Sequence, residues 1–587
     1  MSAVTRTLVR WWRLVRRLPL SDLDEGALLM GFGAVIGVVA GLGVVGFYRL
    51  VDTAFYAFVR WPASRLAMHE AVLYRPLLTA VGLWAAWFIV RRARLPDGQN
   101  VPDLQLAVAK RDGRIALWPV GTRTLAAAVT LGSGGSVGSE GPVAVLGGAF
   151  GSRVGRLFRL PPRHLKILLG CGAAAGISGA FNAPFAGAFF ALEEVIGSFA
   201  VGAFSPVVVA SVVGALVVRA TLGTDVVITV PPYEAIEASA VVLLFPLLGV
   251  ACGAVSALYV RLYFAAQDAA RQVPGPAWLH ALLGGLCVGV MAFTAASVLN
   301  GDGHLSIPMA HLATLAWWTL LGITVAKILM TVLSFAAGGS GGVFTPTLFI
   351  GATFGSGLGA LLTAHTPIQG ASPVTWGLVG MAGLVAGATR APLTAIFIVF
   401  EITDDYELVL PVMVVAVIAY AVSRALAPHG LYDGWLARRG EHLAHGADRT
   451  VLARVVVRHA MDREAVTVPP GATLAHVVAA SERARQPVLP VVDADGALHG
   501  LLTYPDLRQA LLDRGALSDV LVAADLAQAV PSVSQGATLR EALRAMNASA
   551  SDALPVVDGD GQGGRYVGLL TRHELLAAYE RELVHEV

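Results

Sequence analysis

The chain has 587 residues, of which 56% are hydrophobic and only 14% are charged, and its formal net charge is +2. Soluble domains carry about 25% charged residues, so most of this chain must lie in lipid. The small net charge gives no indication of nucleic-acid binding, and no phosphate-binding loop or nucleophile–base set indicates an enzyme. The cysteines Cys171, Cys252 and Cys287 fall in separate apolar stretches. We expect them to pack as small hydrophobic residues rather than to bind a metal.

The first segment, residues 1–26, interleaves five arginines with apolar residues and has no acidic residue before Asp22. A signal peptide would need an uninterrupted apolar core and a small-residue cleavage site, and neither is present. An excess of positive charge is typical of cytoplasmic segments that flank a membrane span. We therefore predict a basic cytosolic N-terminal helix over 1–26.

Apolar segments then follow one another from residue 27 to about 426. Some of them, such as Gly132–Phe150 and Gly338–Thr353, are too short or too rich in glycine to cross a bilayer alone. Helices that end inside the membrane are tolerated only where the backbone lines a polar cavity. The weakest hydropathy near the middle predicts two membrane halves, 27–226 and 227–432.

A duplicated pattern supports this division. Residues 138–152 and 342–356 both follow G-x-x-x-P-x4-G-x2-F-G-S, and Gly179–Glu193 is matched in the same order by Gly387–Glu401. Internal repeats with apolar segments interrupted by glycine and proline are typical of transporters and channels whose site lies between the halves. The pattern predicts an all-α polytopic membrane domain of two inverted repeats, with many tilted and broken helices.

Three glycine-rich stretches before a proline are predicted helix starts: Gly98–Pro102, Gly138–Pro142 and Gly341–Pro346. Unpaired backbone N–H groups at a helix N-terminus favour an anion, and none of these turns contains lysine or arginine. Converging starts would hold a desolvated anion without a fixed cation. Glycine and proline that merely let helices cross would explain one such motif, but three with internal symmetry favour an anion site.

The same stretches carry a family resemblance. The G-x-E-G-P stretch at Gly138, the G-x-F-x-P stretch at Gly342 and the run GATRAPLTAIFIVFEIT from Gly387 resemble the CLC family of chloride channels and proton-coupled chloride transporters. The resemblance covers residues 27–436. It implies a multi-pass protein of the cell (inner) membrane, a homodimer with one anion path in each subunit, and no cofactor requirement for transport.

The resemblance also implies roles for individual residues. Glu140 matches the glutamate that gates the anion path, and the hydroxyl of Tyr432 would meet the central anion, although a tyrosine at a membrane border is also a common interfacial anchor. Gln99 stands where the family has a serine that donates to the anion. The backbone amides expected to line the path are those of Gly138, Ser139, Glu140, Val343 and Phe344.

Glu194 matches the inner glutamate that passes protons in the exchangers of the family, a position that its channels usually fill with an apolar residue. The adjacent acids Glu193 and Glu194 could equally form a solvated helix end. Together with Glu140, however, Glu194 would supply the two titratable groups that a proton path needs. We therefore expect chloride–proton exchange, with a passive voltage- or ligand-gated anion channel as the alternative. Glu401, the symmetry mate of Glu193, is expected to be structural.

Two departures from the family pattern leave anion selectivity open. Gln99 replaces the serine, and Asn100 replaces a glycine. A glutamine amide can still donate to an anion, so chloride is the first expectation, and nitrate or another anion stays open. Fluoride exporters of the family usually lack the tyrosine and the C-terminal domains, which makes fluoride the weaker expectation. Ser139 replaces a basic residue, which lowers the positive potential beside Glu140.

The C-terminal part changes in composition. Residues 433–450 carry charges typical of a linker, and 451–515 and 516–587 form two copies that share Gly-Ala-Thr-Leu, Leu-Pro-Val-Val-Asp and Gly-Leu-Leu-Thr peptides. Each copy alternates helix-period runs with short strands. The pattern resembles a tandem pair of CBS domains, so we predict a cytosolic α/β CBS pair after the membrane domain.

In this pair, Thr503 with Asp506 and Thr571 with Glu574 resemble the T-x-x-D turn that can hold the ribose of an adenine nucleotide. The alternative is a dimerising scaffold without a ligand. A third interpretation, from a different class, makes the protein mainly a nucleotide or ionic-strength sensor that acts through its CBS pair.

Overall fold

The chain divides into two compact units, Met1–Leu443 and Ala444–Val587. The computed structural model describes residues 25–65, 68–95, 100–223, 228–229, 238–294, 307–308, 314–365, 372–441, 452, 455–484, 486, 488–512, 521–549, 551–559 and 564–586. The predicted N-terminal helix over 1–26 and Gln99 therefore lie outside the described residues, apart from the last two residues of that helix.

The first unit is built of helices, and seven of those described are long and apolar enough to cross a membrane. The helices are α1 Glu25–Phe55, α2 Met68–Arg92, α3 Asn100–Lys110, α4 Leu117–Gly132, α5 Glu140–Leu157, α6 Pro162–Phe181, α7 Pro184–Phe190, α8 Val201–Leu222, α9 Ala238–Gln272, α10 Ala277–Thr294, α11 Trp317–Ala336, α12 Phe344–His365, α13 Pro373–Thr389, α14 Pro392–Thr403, α15 Val409–Leu426 and α16 Leu431–Arg438. Two short strands, β1 Ile228–Thr229 and β2 Ile307–Pro308, pair in parallel.

Helix ends follow from the sequence at equivalent places in the two halves. Asn182 directly follows helix α6 and Arg390 directly follows helix α13, and both residues have a left-handed backbone, with φ of 56° and 71°. In each case an alanine and a proline follow, and the proline begins the next helix, α7 or α14. Proline suits a first helical turn because its missing N–H would be unpaired there in any case. The inverted-repeat prediction is confirmed.

Small residues allow the helices of each half to pack very closely. A Cβ atom on Gly147 would lie 2.0 Å from the carbonyl oxygen of Gly172, where α5 crosses α6. In the second half, a Cβ on Gly351 would lie 2.6 Å from the carbonyl oxygen of Gly380, where α12 crosses α13. These crossings place the starts of α5 and α12 at the centre of the unit, and close backbone approach of this kind is typical of membrane helices.

Helix α16 lies partly in the segment predicted as a linker, so the membrane unit continues beyond residue 433. The helix continues to Arg438 because Leu431, Tyr432 and Leu436 are buried against the rest of the unit. Asp433 also stabilises its start by accepting the Gly430 N–H at 2.6 Å. Among the cysteines, Cys171 and Cys252 are buried as expected, whereas Cys287 is exposed; all three are free thiols.

The second unit contains two copies of a helix–strand–strand–helix motif. Its elements are a 3-10 turn Val457–His459, α17 Leu474–Arg483, β3 Val488–Val492, β4 Leu498–Thr503, α18 Tyr504–Leu512, α19 Ala523–Leu526, β5 Val533–Ser534, α20 Leu539–Ser549, β6 Ala553–Asp558, β7 Arg565–Thr571 and α21 Arg572–Glu586. Strands β3 and β4 are antiparallel, as are β6 and β7, and β5 adds to β6 in parallel. Both antiparallel pairs change register at equivalent Val-Val steps, as a duplication predicts.

Candidate functional site

Glu140 is the first residue of α5, and its side chain is fully buried. Its carboxylate rests on the start of α12 in the other half: the Phe344 amide donates to Oε1 at 2.6 Å, and the Thr345 hydroxyl donates to Oε2 at 2.8 Å. Unpaired N–H groups and the dipole at a helix start stabilise negative charge. An anion that entered this position would compete with the carboxylate for the same donors.

The two helix starts are joined through their glycines. Gly138 and Gly342 each donate an N–H to the carbonyl of the other at 2.7 Å, as a two-fold related pair. The Gly138 amide is therefore engaged in this structure, although it was predicted to line the anion path. A Cβ on Gly138 or Gly342 would lie 2.1 Å from a carboxylate oxygen of Glu140. Only glycine leaves room for the carboxylate here.

Tyr432 lies in the first turn of α16 and is 3% exposed. It interacts electrostatically with both Glu140 and Glu194, so the fold brings these three predicted residues into one neighbourhood. Ser139 and Val343, also predicted here, are buried beside the two helix starts. The burial of Tyr432 does not agree with the role of an interfacial anchor, which would leave the side chain at the membrane surface.

Glu194 follows α7 in a widened helical turn, Ala191–Ile196, and is 5% exposed. The Gln105 side-chain amide donates to the Glu194 carbonyl at 2.9 Å and to its Oε2 at 3.2 Å. The side-chain oxygen of Gln105, Oε1, has no hydrogen-bond partner among the described residues. Glu194 is thus not a solvated helix end. It is a buried acid whose carboxylate has one side-chain donor, Gln105, among the described residues, which is compatible with proton exchange.

Glu193 points elsewhere and caps a helix of the other half. Its carboxylate accepts the Leu393 amide at 3.0 Å, the Thr394 amide at 2.8 Å and the Thr394 hydroxyl at 2.7 Å. Glu401 does the same in return, because it accepts the amides of Phe185 and Ala186 at 2.8 and 2.7 Å. The two glutamates form reciprocal caps on α14 and α7, which fits the structural role expected for Glu401.

The T-x-x-D-like turns of the second unit cap helices. In the first copy, Asp506 accepts the Thr503 amide at 3.0 Å and the Gln528 side-chain amide at 2.7 Å. In the second copy, Glu574 accepts the Thr571 amide at 2.7 Å. These are capping boxes, so the motif has a structural explanation. A cavity of about 250 Å³ lies between α17 and α18, but neither Thr503 nor Asp506 lines it.

Comparison with known proteins identifies the family. The sequence model of the voltage gated chloride channel family matches residues 81–424, more than half of the chain. The chain belongs to this family. The CBS domain matches twice more, over residues 457–513 and 522–581.

Relatives of this family cover the membrane unit. The H(+)/Cl(-) exchange transporter ClcA of Yersinia pestis is 32% identical over 449 residues, which are 73% of this chain and 90% of the relative. A ClcB-like protein of Ralstonia nicotianae is 34% identical over 421 residues, 70% of this chain and 97% of that protein. The crystal structure of a eukaryotic CLC transporter has a TM-score of 0.62 at 21% identity, with 94% of this chain and 99% of that chain covered. This likeness shows the fold.

Two residues near the CLC site were not predicted from the sequence. Thr345 directly follows Phe344 in the G-x-F-x-P stretch, and a hydroxyl in the first turn of a helix is a recognisable signal for binding an acid. Gln105 lies between Leu104 and Leu106 in α3, and it is 4% exposed. A polar side chain in such a setting needs a partner, but the sequence cannot show that the partner is Glu194.

Proposed function

We propose that this chain is a secondary active transporter that exchanges chloride for protons across the membrane, with Glu140 as the gate. The position of the Glu140 carboxylate carries the proposal, because this acid occupies the helix start where an anion would bind. The relative from Yersinia pestis is named as an H(+)/Cl(-) exchange transporter, which supports chloride and protons as the two ions.

The mechanism follows from competition for the same donors. Hydrogen bonds to a charged carboxylate are roughly twice as strong as those between neutral groups. Protonation of Glu140 therefore weakens its hold on Phe344 and Thr345, and the acid can leave the helix start. An anion then takes the freed donors, and the return of the carboxylate after it loses its proton displaces that anion. One binding position alternates between a proton carrier and an anion.

The inner end of the proton path is assigned to Glu194. It is buried, Gln105 is its one side-chain donor in the part of the chain that the structure describes, and Tyr432 lies in electrostatic range of both acids. A passive channel would need neither a second buried acid nor its amide partner. The channel alternative therefore predicts that Glu194 can be neutralised without changing the ratio of protons to chloride.

The test is proton movement in liposomes of purified protein under an imposed chloride gradient, with the voltage clamped by valinomycin. We expect uphill proton transport in the native protein and none in Glu140→Gln or Glu194→Gln. Glu407→Gln is a matched control, because Glu407 is an exposed acid of the same unit. Chloride flux without proton movement in the native protein would establish a channel instead.

Three further assignments rest on the family resemblance: a homodimer, an inner-membrane location with the N-terminus and CBS pair in the cytoplasm, and an adenine nucleotide at the CBS pair. Cross-linking in intact membranes tests the first. Protease access from each side of sealed vesicles tests the second. Titration of full-length protein with ATP, compared with Asp506→Ala, tests the third; equal binding by both proteins would exclude the Thr503 turn as the site.

A further inference from the structure

The side-chain amide of Gln105 binds Glu194 at two points. Its Nε2 donates to the Glu194 carbonyl at 2.9 Å and to Glu194 Oε2 at 3.2 Å, and an amide nitrogen has one hydrogen for each of these acceptors. Gln105 is 4% exposed and Glu194 is 5% exposed, so bulk water has little access to either bond. The amide therefore draws the carboxylate of Glu194 back toward its own main chain, and the carboxylate cannot turn away without losing this donor.

The same amide also presents a free acceptor. Oε1 of Gln105 is buried and has no hydrogen-bond partner among the described residues. It belongs to the same planar group as Nε2, and rotation about the terminal side-chain bond, which has a broad two-fold preference, exchanges the two atoms. A carboxylate can only accept hydrogen bonds, whereas a protonated acid gains one O–H donor. Gln105 can therefore bind either state of Glu194, through Nε2 when the acid is charged and through Oε1 when it is protonated.

Ion pairs hold α3 in place on the side away from Gln105. Asp103 lies two residues earlier, on the opposite face of the helix, because each residue advances the helix by about 100°. Its carboxylate pairs with Arg123 of α4 and, at 3.1 Å, with Arg439, which directly follows α16. The three side chains are at most 23% exposed, so water and salt screen these pairs little. The amide of Gln105 thus reaches Glu194 from a helix that is fixed in its first turn.

The chemistry of an amide suits an acid that must both gain and lose a proton. A buried carboxylate without a hydrogen bond is very costly, so an apolar residue at position 105 would oppose the charged state. A lysine or arginine would form an ion pair with the carboxylate and oppose the protonated state. Glutamine is neutral and can donate or accept, so it traps neither state.

We propose that Gln105 is a positioning residue for proton transfer at Glu194. Its Nε2 holds the charged carboxylate, and its Oε1 accepts the O–H of the protonated acid after the amide turns. No covalent bond of Gln105 changes: the proton comes from water on the inner side, rests on a carboxylate oxygen of Glu194 and passes on toward Glu140. This role rests on the proposed function, because it concerns the proton step of the same exchange.

Proton and chloride fluxes measured in the same liposomes test the role. Gln105→Met keeps the length of the side chain and removes both hydrogen bonds. We expect proton transport to fall roughly 10-fold, the effect of one lost hydrogen bond to a charged group. Chloride transport should stay near the native rate, because chloride passes at Glu140, so the number of protons moved per chloride falls. Gln272→Met is the matched control, because Gln272 is an exposed glutamine of the same unit.

The flux ratio separates positioning from a purely structural role. Damage to the fold would lower both fluxes together and leave the ratio of protons to chloride unchanged. Gln105→Glu should keep the native ratio, because a protonated carboxyl also offers one donor and one acceptor. A native ratio in Gln105→Met, while the native protein exchanges protons for chloride, would overturn the positioning role alone. Chloride flux without proton movement in the native protein would overturn the proposed function and this role with it.

Infrared difference spectra between acid and alkaline protein in detergent give a test that does not depend on transport. The carbonyl stretch of protonated Glu194 is assigned by its absence in Glu194→Gln. We expect this band to move to higher wavenumber in Gln105→Met, because hydrogen bonding of a carboxylic acid lowers the frequency. A band at the native wavenumber would show that Gln105 does not bind the protonated acid, and would overturn the proposed use of Oε1.

Discussion

Removal of the Thr345 hydroxyl should make this protein bind chloride more tightly. In the structure that hydroxyl donates to Oε2 of Glu140 at 2.8 Å, while the Phe344 amide holds Oε1. Thr345→Val keeps the shape of the side chain and removes one of these two donors. A hydrogen bond to a charged group contributes about 1.5–3 kcal/mol, so the seated carboxylate should lose about that much stabilisation.

The gain in chloride affinity follows from competition. Both the anion and the carboxylate can use these donors, but we expect a monatomic anion to be held mainly by the Phe344 amide, whereas the carboxylate spans both donors with its two oxygens. Chloride can bind only to molecules in which the Glu140 carboxylate has left the helix start. Its apparent affinity therefore rises as the fraction of such molecules rises. With about 1.4 kcal/mol per factor of ten, we expect chloride to bind roughly 10- to 100-fold more tightly to Thr345→Val at neutral pH.

Isothermal titration of detergent-purified protein with chloride is the assay. Thr353→Val is the matched control, because Thr353 is a fully buried threonine of the same helix, about 12 Å further along, and bonds Thr324 rather than Glu140. Unchanged or weaker binding by Thr345→Val would refute the reasoning, since the hydroxyl would then hold the anion at least as well as it holds the carboxylate.

Two other predictions concern packing and pH. Gly147→Ala should destabilise the protein by about 3 kcal/mol or more, because its methyl group would lie 2.0 Å from the Gly172 carbonyl. Gly46→Ala, where no atom lies within 4 Å, should leave the thermal midpoint unchanged, and equal midpoints for both variants would contradict the close crossing. In the second unit, burial raises the pKa of Glu574, whereas the Thr538 backbone N–H lowers the pKa of Glu541. Stability from Glu574 is therefore lost as pH rises through its pKa, and stability from Glu541 is lost as pH falls through its pKa. At pH 7.5, Glu574→Gln should raise the thermal midpoint of that unit and Glu541→Gln should lower it. Both differences should vanish in acid, and the same sign for both variants would contradict these assignments.

The sequence predicts the architecture well, because the architecture is repeated in it. The matched motifs around Gly138 and Gly342 place two helix starts at equivalent positions, and inverted halves bring equivalent positions together at the centre. The partner of Glu140 could not be predicted in this way. Which amide and which hydroxyl meet the carboxylate depends on how the halves cross, and no local pattern around Glu140 encodes Thr345.

Some local patterns in the sequence are compatible with two roles. The acids that follow Thr503 and Thr571 by three residues cap helices in the structure, and a ribose-binding role for the same turns stays a prediction. In the sequence, the adjacent acids Glu193 and Glu194 are compatible with either a solvated helix end or a proton path. The widened turn that follows α7 separates them, so that one caps α14 and the other meets Gln105.

The reciprocal caps at Glu193 and Glu401 restrict how the molecule can move. Together with the Gly138–Gly342 pair they make seven hydrogen bonds between the halves. A transporter that works by rocking one half against the other would have to break all seven and leave two half-buried carboxylates without these donors. The two halves are therefore joined at three places: the Glu193 cap, the Glu401 cap and the Gly138–Gly342 pair. We therefore expect access to alternate within a nearly rigid frame, through movements of single side chains such as Glu140.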